Sequence, residues 1–142
     1  MKITTIGLEY YKRICEIWEM SGLPYKPSGR DSYDALKARL EETPTWILGA
    51  FIGEKLVGAV VATHDGQRGW INRLATDPDY QRKGIAKKLM REAEDLLRTK
   101  GIGLWAALIE EDNIASRNLF NSQDYVESKD LIYYSKRISK DY

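Results

Sequence analysis

The spacing of apolar side chains in the N-terminal third predicts one short strand followed by two amphipathic helices. The segment KITTI, residues 2–6, has the β-branched composition of a strand. From Leu8 the apolar residues recur at helical intervals, and a second helical pattern follows Asp31, which is predicted to cap it. Residues 21–32 between them are rich in Gly, Pro and Ser and indicate a loop. The apolar faces consist of Leu8, Tyr11, Ile14, Cys15 and Trp18, then Tyr33, Leu36 and Leu40.

The middle of the chain has the pattern of strands joined by tight turns. The segments WILGAFI and LVGAVVA flank the turn signal GEK, which predicts a hairpin. A further turn at HDGQ precedes the segment GWINRLAT, which predicts a third strand at residues 69–76.

The second half alternates between helical and strand patterns. A long helix is predicted from Gly84 to the glycine at 101, with Ile85, Leu89, Ala93, Leu96 and Leu97 on its apolar face. Three oppositely charged pairs, Lys88/Glu92, Arg91/Asp95 and Glu94/Arg98, have the spacing that favours contacts on the opposite face. The segment LWAALI predicts a buried strand, and a helix with Ile114 and Leu119 on its apolar side follows from Asn113. The segments YVES and LIYYSKRI predict two closing strands.

This order of elements predicts an α+β fold, a mixed α/β arrangement with a mostly antiparallel sheet of six to seven strands and about four helices. The strand–helix–strand unit over residues 70–109 predicts a right-handed crossover between parallel strands. Residues 1–142 fit one domain.

Composition narrows the class of protein. Lys+Arg number 22 and Asp+Glu 21, and this balance argues against a dedicated partner such as nucleic acid or an anionic membrane. A single cysteine, Cys15, excludes an internal disulfide and is predicted to pack in the core, and His64 is the only histidine, so no metal site is predicted. No apolar run has the length of a membrane span and no signal peptide is visible, so a cytoplasmic protein is predicted.

The segment DPDYQRKGIAKKLMREAE, residues 77–94, carries the strongest functional signal. A helix N-terminus offers unpaired backbone N–H groups and a positive dipole end, which together favour an anion. Gly84 lets a ligand approach the backbone, and Arg82, Lys83, Lys87 and Lys88 add positive charge. The segment matches neither the P-loop nor the dinucleotide fingerprint. It predicts a pyrophosphate site, although a helix start with solvated lysines would have the same local composition.

The stretch QRKGIA resembles the [QR]-x-x-G-x-[GA] motif of the GNAT-type N-acetyltransferases, which bind acetyl-CoA. Residues 64–101 are similar to the strand–loop–helix core of that family, and DNIASRNLFNSQDY is similar to its "DN-x-A…(F/Y)Y-x-x-x-GY" segment. The lead-in DGQRGW resembles a poorly characterised prokaryotic branch with DGHRGW. The resemblance covers residues 46–125 well and the N-terminal third weakly.

The resemblance implies a GNAT-like fold with a splayed parallel strand pair at the cofactor cleft, acetyl-CoA as co-substrate and no metal. The pyrophosphate would bind the loop amides, the pantetheine arm would pair with the preceding strand, and an N–H of that strand would act as oxyanion donor. Asn113 would contact the pantetheine or only cap its helix, or both. The implied cofactor residues are Leu74, Ala75, Thr76, Gln81, Arg82, Lys83, Gly84, Ile85, Ala86, Asn113 and Phe120, and Ala75 is also the implied catalytic donor.

Three positions depart from the family pattern. Phe120 occupies the place of a tyrosine that many members use as an acid, and Tyr125, Tyr133 and Tyr134 are alternatives that packing would also explain. Asn72 stands where several relatives carry a glutamate base, so a base would come through water or from Glu110 or Glu111, unless those form a solvated loop. Asp124 replaces the usual glycine in a turn.

The function that these features predict is direct transfer of an acetyl group from acetyl-CoA to a primary amine of a small molecule, peptide or protein. The alternatives are a CoA-binding regulatory or scaffolding module and, less well matched, an interaction domain without cofactor. The acceptor is left open, because residues 19–45, which the resemblance assigns to its pocket, contain charges of both signs. Dimerisation is common in the family, so a homodimer is a possible assembly.

Overall fold

The computed structural model describes residues 1–142, which form eleven elements of secondary structure. The strands are β1 (Lys2–Ile6), β2 (Thr45–Ile52), β3 (Lys55–His64), β4 (Gly69–Thr76) and β5 (Trp105–Ala106). The α-helices are α1 (Tyr11–Met20), α2 (Tyr33–Glu42), α3 (Ile85–Thr99) and α4 (Ile114–Ser122), and short 3-10 helices lie at Leu8–Tyr10 and Pro78–Tyr80. None of the helices has the length and apolar character that crossing a membrane requires.

The five strands form one sheet in the order β1-β2-β3-β4-β5. Strands β1 to β4 are antiparallel to their neighbours, and β5 lies parallel to β4, with Gly69 opposite Trp105 and Trp70 opposite Ala106. The α+β class and the parallel pair joined by α3 are therefore confirmed.

Helices pack on both faces of this sheet and bury two apolar clusters. On one face, α3 contributes Ile85, Leu89, Met90, Ala93 and Leu97, and Phe120 of α4 joins them. On the other face, Ile14, Ile17 and Trp18 of α1 and Leu36 of α2 pack against β2 and β3. The apolar stripes of α1 and α3 thus explain why each helix lies against the sheet.

Two local predictions for the helices are wrong. Ser32, not Asp31, caps α2, because its Oγ accepts a hydrogen bond from the N–H of Ala35 at 3.1 Å. The predicted i,i+4 ion pairs of α3 do not form; Arg98 pairs with Asp95 instead, one position closer, since exposed charges gain little from any single partner.

The sheet is also smaller than predicted. Of LWAALI only Trp105 and Ala106 are in a strand, and neither YVES nor LIYYSKRI forms one. A strand requires a neighbouring edge for its backbone groups, and the two-residue β5 provides a very short one. The side chains at the end of the chain are accordingly exposed, with Leu131 at 74% and Ile132 at 78%.

Candidate active site

The strands β4 and β5 are paired only at one end. Their ladder covers Gly69 and Trp70 on β4, so the edge of β4 from Ile71 to Thr76 has no strand partner on that side. The segment that follows β5 makes no backbone hydrogen bond to β4 beyond this ladder, and the open edge of β4 that results is called the cleft below. A strand edge of this kind presents N–H and C=O groups to any extended ligand that enters the cleft.

A β-bulge lies in β4 beside this cleft. Arg73 and Leu74 together oppose Val60 of β3, and Arg73 has a φ of 56°, in the left-handed region that residues with a Cβ seldom adopt. A bulge twists its strand and re-aims the adjacent backbone groups. The bulge therefore changes the orientation of the peptide groups at Arg73 and Leu74 relative to the regular ladder.

The ladder between β3 and β4 determines which amides of β4 are free. Asp77 donates its N–H to the carbonyl of Val57 at 2.8 Å, and the antiparallel register pairs Thr76 with Gly58 and Ala75 with Ala59. The alternation of such pairs directs the N–H of Ala75 to β3 and the N–H of Thr76 to the open edge. By this alternation the cleft side of β4 offers the N–H of Thr76 and not that of Ala75.

The turn after β4 is anchored by a buried ion pair that no sequence motif indicates. The carboxylate of Asp77, whose residue is only 2% exposed, lies 2.6 Å from the guanidinium of Arg13 on α1. Its other oxygen accepts a hydrogen bond from the N–H of Asp79 at 3.0 Å. Burial alone would raise the pKa of Asp77, but the Asp79 N–H and the Arg13 charge outweigh it, and the pKa is lowered.

We expect Asp77→Ala to reduce the free energy of unfolding by about 2 kcal/mol at neutral pH, because Arg13 would lose its buried partner. A carboxyl with a lowered pKa stabilises the fold above its unfolded-state pKa of about 4 and loses this effect as pH falls through its folded-state pKa. Urea denaturation should therefore show a difference from wild type at pH 7 that shrinks at pH 3. Asp79→Ala, an exposed carboxylate of the same turn, is the matched control, and an equal loss there would contradict the role of Asp77.

Six consecutive backbone N–H groups, in the loop before α3 and in its first turn, have no acceptor within the protein. They belong to residues 82–87, none of which donates its N–H in any hydrogen bond of the structure. Arg82 and Gly84 have left-handed φ values of 63° and 76°, and Gly84 is the N-cap of α3. Alternating backbone conformations of this type turn successive N–H groups to one side and create a concave anion site. The loop geometry agrees with the predicted phosphate site.

The surroundings of these amides are open and positively charged. A Cβ built at Gly84 meets nothing within 4 Å, so the space in front of the amide is free. The side chain of Ile85 is buried against the sheet and leaves only its backbone available, and Ala86 is half-buried. Lys83 and Lys55 lie over the Tyr80 ring at 5.5 and 5.1 Å from its centroid. Further exposed polar side chains of the loop and first turn are those of Gln81, Arg82, Lys87 and Lys88.

The two candidate bases, Glu110 and Glu111, lie in the segment after β5 and face solvent. Glu110 and Glu111 are exposed and line a shallow depression together with Asp112 and Arg117. Asn113 caps α4, since its Oδ1 accepts a hydrogen bond from the N–H of Ser116 at 3.1 Å. The capping role of Asn113 is confirmed, and its side-chain amide nitrogen remains available.

The residue at the family's acid position and the three alternative tyrosines lie in two different environments. Phe120 and Tyr125 pack against the core, whereas Tyr133 and Tyr134 are exposed. Phe120 is buried in the core cluster beneath α3, where its ring contacts that of Tyr125 edge-to-face at 4.8 Å. The Tyr125 hydroxyl donates to Glu94 at 2.6 Å, and burial together with this contact raises the pKa of Tyr125 well above its ordinary value. Tyr133 and Tyr134 are 68% and 87% exposed in the irregular C-terminal segment. The Tyr125 hydroxyl is therefore engaged with Glu94, and Tyr133 and Tyr134 belong to no strand of the sheet.

His64, Cys15 and Asp124 have local structural roles. His64 accepts a hydrogen bond from the N–H of Gly66 through Nδ1 at 2.9 Å and stacks on Trp46. Cys15 packs against the α1–α2 cluster, and burial raises the pKa of its thiol, which disfavours a nucleophilic thiolate. Asp124 has a φ of 67°, so it adopts the left-handed conformation for which the family uses glycine.

A second buried carboxylate connects the bulge of β4 to the loop between α1 and α2. Asp31, 2% exposed, accepts a hydrogen bond from the Arg73 guanidinium at 2.6 Å and another from the N–H of Lys26 at 2.7 Å. Arg73 also donates to the carbonyl of Pro24 and lies over the ring of Trp18 at 5.5 Å. Asp31 was predicted only as a helix cap. No sequence pattern relates it to Arg73, because 42 residues separate the two.

Comparison with known proteins agrees with this arrangement. The family model described as Acetyltransferase (GNAT) family matches residues 11–125, which include α1, the β4 strand and the loop before α3. An acetyltransferase from Yersinia pestis (strain Pestoides F) is 28% identical over 141 residues, which cover 99% of this chain and 98% of that protein.

Two solved structures share the fold at low sequence identity. The protein AAC(6')-Iy, in complex with the bisubstrate analogue CoA-S-monomethyl-acetylneamine, is 16% identical, with a TM-score of 0.77 over 96% of this chain and 97% of that one. The PaiA N-acetyltransferase of Thermoplasma acidophilum, in complex with coenzyme A, is 20% identical, with a TM-score of 0.73 over 87% and 89%. The family match over residues 11–125 and the relative from Yersinia pestis confirm the predicted acyltransferase class at the level of the family. The match over most of the chain, on a fold with this split strand pair and amide loop, shows that the protein belongs to the acetyltransferase (GNAT) family.

Proposed function

We propose that this protein transfers the acetyl group of acetyl-CoA to a primary amine by direct attack in a ternary complex. The observation that carries the proposal is the row of unpaired N–H groups from Arg82 to Lys87, in the loop before α3 and its first turn. In the proposal these amides, together with Gln81, bind the pyrophosphate, and the exposed cations Arg82 and Lys83 neutralise part of its charge. Fold relatives solved with CoA ligands support the same cofactor.

The open edge of β4 is the proposed track for the pantetheine arm. The free N–H of Thr76 lies nearest the loop and is suited to an amide carbonyl of the arm. The thioester would then lie further along β4, at the bulge, and we assign the N–H of Leu74 as donor to its carbonyl in place of Ala75. Asn113, at the start of α4 across the cleft, is the proposed side-chain contact to the arm.

The chemistry requires three events that this cleft can support. A neutral amine attacks the thioester carbon, the carbonyl oxygen becomes an oxyanion held by the β4 amide, and the CoA thiolate leaves as the carbonyl re-forms. Holding the amine and thioester in line supplies a large share of the rate enhancement, since it removes the entropic cost of their encounter.

Proton transfer is the least specialised part of the proposed mechanism. Glu110 is the proposed base. Trp70 and Ala106 are partners in the parallel ladder, and Leu74 and Glu110 each lie four residues beyond that pair in the same chain direction. The amine proton would reach the exposed Glu110 carboxylate through water. Phe120 has no proton to donate, so in this proposal the thiolate leaves unprotonated and is protonated by solvent.

The alternative function is a CoA-binding module that regulates or scaffolds without catalysis. Phe120 and Asn72, at positions where family members carry an acid and a base, favour that alternative. Both functions require the amide loop, so CoA binding does not separate them, and only turnover does. In either case we propose that residues 1–142 form one domain of a cytoplasmic protein. A homodimer is compatible with this proposal.

The first test is the melting temperature of the full chain with acetyl-CoA and with desulfo-CoA. A ligand at a hundred times its Kd stabilises the fold by about 2.7 kcal/mol, which for a domain of this size is a shift of several degrees. We expect this shift with both ligands, followed by release of free CoA thiol when amines are supplied. No shift at millimolar ligand would overturn the cofactor site, and a shift without turnover of any amine would favour the non-catalytic alternative.

A further inference from the structure

Three guanidinium groups converge on one buried carboxylate beside the proposed thioester position. Asp31 lies 2.6 Å from Arg73, 3.7 Å from Arg30 and 3.8 Å from Arg39, and these arginines form no ion pair with any other acidic side chain. One negative charge therefore faces three positive ones. Such a surplus of like charge is unfavourable in a partly buried place unless another anion balances it.

The three arginines differ in how many of their N–H groups are used. Arg73 is occupied, because it bonds to both Asp31 and the carbonyl of Pro24 and is only 17% exposed. Arg39 uses one nitrogen for the carbonyl of Arg30 at 2.6 Å, and its other terminal nitrogen makes no hydrogen bond. No guanidinium N–H of Arg30 makes a hydrogen bond, and its Nε is buried without a partner. Arg30 and Arg39 thus keep donors available, with side chains 39% and 40% exposed.

The charges of this cluster also act on one another. Burial lowers the pKa of Arg73, the charge of Asp31 opposes that effect, and the positive charges of Arg30 and Arg39 lower the pKa further. Asp141 of the C-terminal tail lies against the same loop through its Cβ near Gly29 and its carbonyl, which accepts the N–H of Arg30 at 3.2 Å, but its carboxylate forms no ion pair with these arginines.

The cluster lies on the side from which an acceptor amine would approach. Arg73 is part of the β4 bulge directly before Leu74, and its side chain extends over Trp18 toward the α1–α2 loop. The proposed pyrophosphate loop is at the other end of the open edge, beyond Thr76. An anion held by Arg30 and Arg39 would therefore belong to the acceptor and not to the phosphates of the cofactor.

We infer that the acceptor carries an anionic group, a carboxylate or a phosphate, on the same small molecule as its amine, and that Arg30 and Arg39 bind this group. The inference rests on the proposed acetyl transfer and names the class of its acceptor. A guanidinium group matches either anion, because its N–H groups fit the paired oxygens of both. Polycationic amines are expected to be poor acceptors here, since the same charges repel them.

The test uses four amines of similar length that differ at the far end. They are β-alanine with a carboxylate, O-phosphoethanolamine with a phosphate, 3-aminopropanol with a neutral hydroxyl and 1,3-diaminopropane with a second cation. We expect the better of the two anionic amines to exceed 3-aminopropanol in kcat/KM by about tenfold or more, as loss of a charge-assisted hydrogen bond implies. The ranking of the two anionic amines distinguishes a carboxylate from a phosphate site.

The variant Arg30→Met should reduce kcat/KM for the preferred anionic amine by about tenfold or more, mainly through KM. It should leave KM for acetyl-CoA and the turnover of 3-aminopropanol unchanged, and Arg30→Lys should restore part of the loss because it restores the charge. Lys37→Met is the matched control: it removes a cation of α2 that pairs with Glu41 at 3.0 Å and not with Asp31. An equal loss for all four amines, or a wild-type preference for the neutral or cationic amine, would overturn the inference.

Failure of the inference and failure of acetyl transfer give different results. If the wild type acetylates only neutral or cationic amines, the proposed function stands and the anionic acceptor is wrong. If no amine is acetylated, titration calorimetry of β-alanine and O-phosphoethanolamine into the desulfo-CoA complex decides. Saturable binding that Arg30→Met abolishes would support the anion site without catalysis, and absence of binding would overturn it.

Discussion

Replacing Gly84 by glutamate should weaken acetyl-CoA binding by about a hundredfold while the protein stays folded, since like charges in contact cost several kcal/mol. The new carboxylate would lie in front of the free amides of residues 82–87, where the pyrophosphate oxygens are proposed to bind. A Cβ at this position has open space, so no clash opposes the substitution. The left-handed φ of 76° adds a strain of about 1 kcal/mol.

The control for this variant is Gly84→Ala, which introduces the same backbone strain without a charge. Affinity for acetyl-CoA and desulfo-CoA would be measured by titration calorimetry, and folding by the melting temperature of the free protein. We expect Gly84→Ala to bind far better than Gly84→Glu at a similar melting temperature. Equal affinity of Gly84→Glu and wild type would contradict the pyrophosphate site at the start of α3.

Replacing Arg73 by methionine should lower the free energy of unfolding by about 3 kcal/mol, because it removes one partner of a buried ion pair. Asp31 would keep its hydrogen bond from Lys26 and its longer contacts to Arg30 and Arg39, but it would lose its 2.6 Å contact, the one guanidinium contact at hydrogen-bond distance. The effect corresponds to a decrease in melting temperature of about 10 °C for a domain of this size. Chemical denaturation in urea gives the same free energy independently.

Arg91→Met is the matched control, since Arg91 is an exposed arginine of α3 without a side-chain hydrogen bond or ion pair, and it should leave stability unchanged within about 0.5 kcal/mol. Combining Asp31→Asn with Arg73→Met should cost less than the sum of the two single variants, because the contact between the two side chains is lost only once. If the double variant is less stable than Arg73→Met by the full cost of a second independent mutation, the two side chains do not act as a pair.

The strands and helices whose patterns are local were predicted from the sequence. KITTI, the hairpin around GEK and the helix from Gly84 to Gly101 follow from apolar period and turn residues within a few positions of each other. The loop before α3 belongs to the same group, because a glycine N-cap after a strand determines both the turn and the exposure of its amides. That is why the amino-acid sequence alone is enough to locate the candidate cofactor loop.

The C-terminal third shows where local patterns fail. LIYYSKRI has the alternation and the β-propensity of a strand, yet its side chains are exposed and unpaired. β-propensity describes how well a segment fits a sheet, but a strand forms only where another strand offers hydrogen-bonding partners. A local rule also fails at the start of α2. Asp31 and Ser32 are both of residue types that cap helices, and only the structure shows that Ser32 takes this role.

By itself, the sequence determined the α+β class, the order of most elements, the acetyltransferase family resemblance and the segment that is proposed to bind the cofactor. Only the tertiary structure decided which β4 amides are free, that Asp77 pairs with Arg13, and that three arginines surround Asp31. The physical reason is the range of the interactions. Periodicity and capping act within one or two turns of chain, whereas Arg13 and Asp77 are 64 positions apart and Asp31 and Arg73 are 42 positions apart, and no local pattern records such distances.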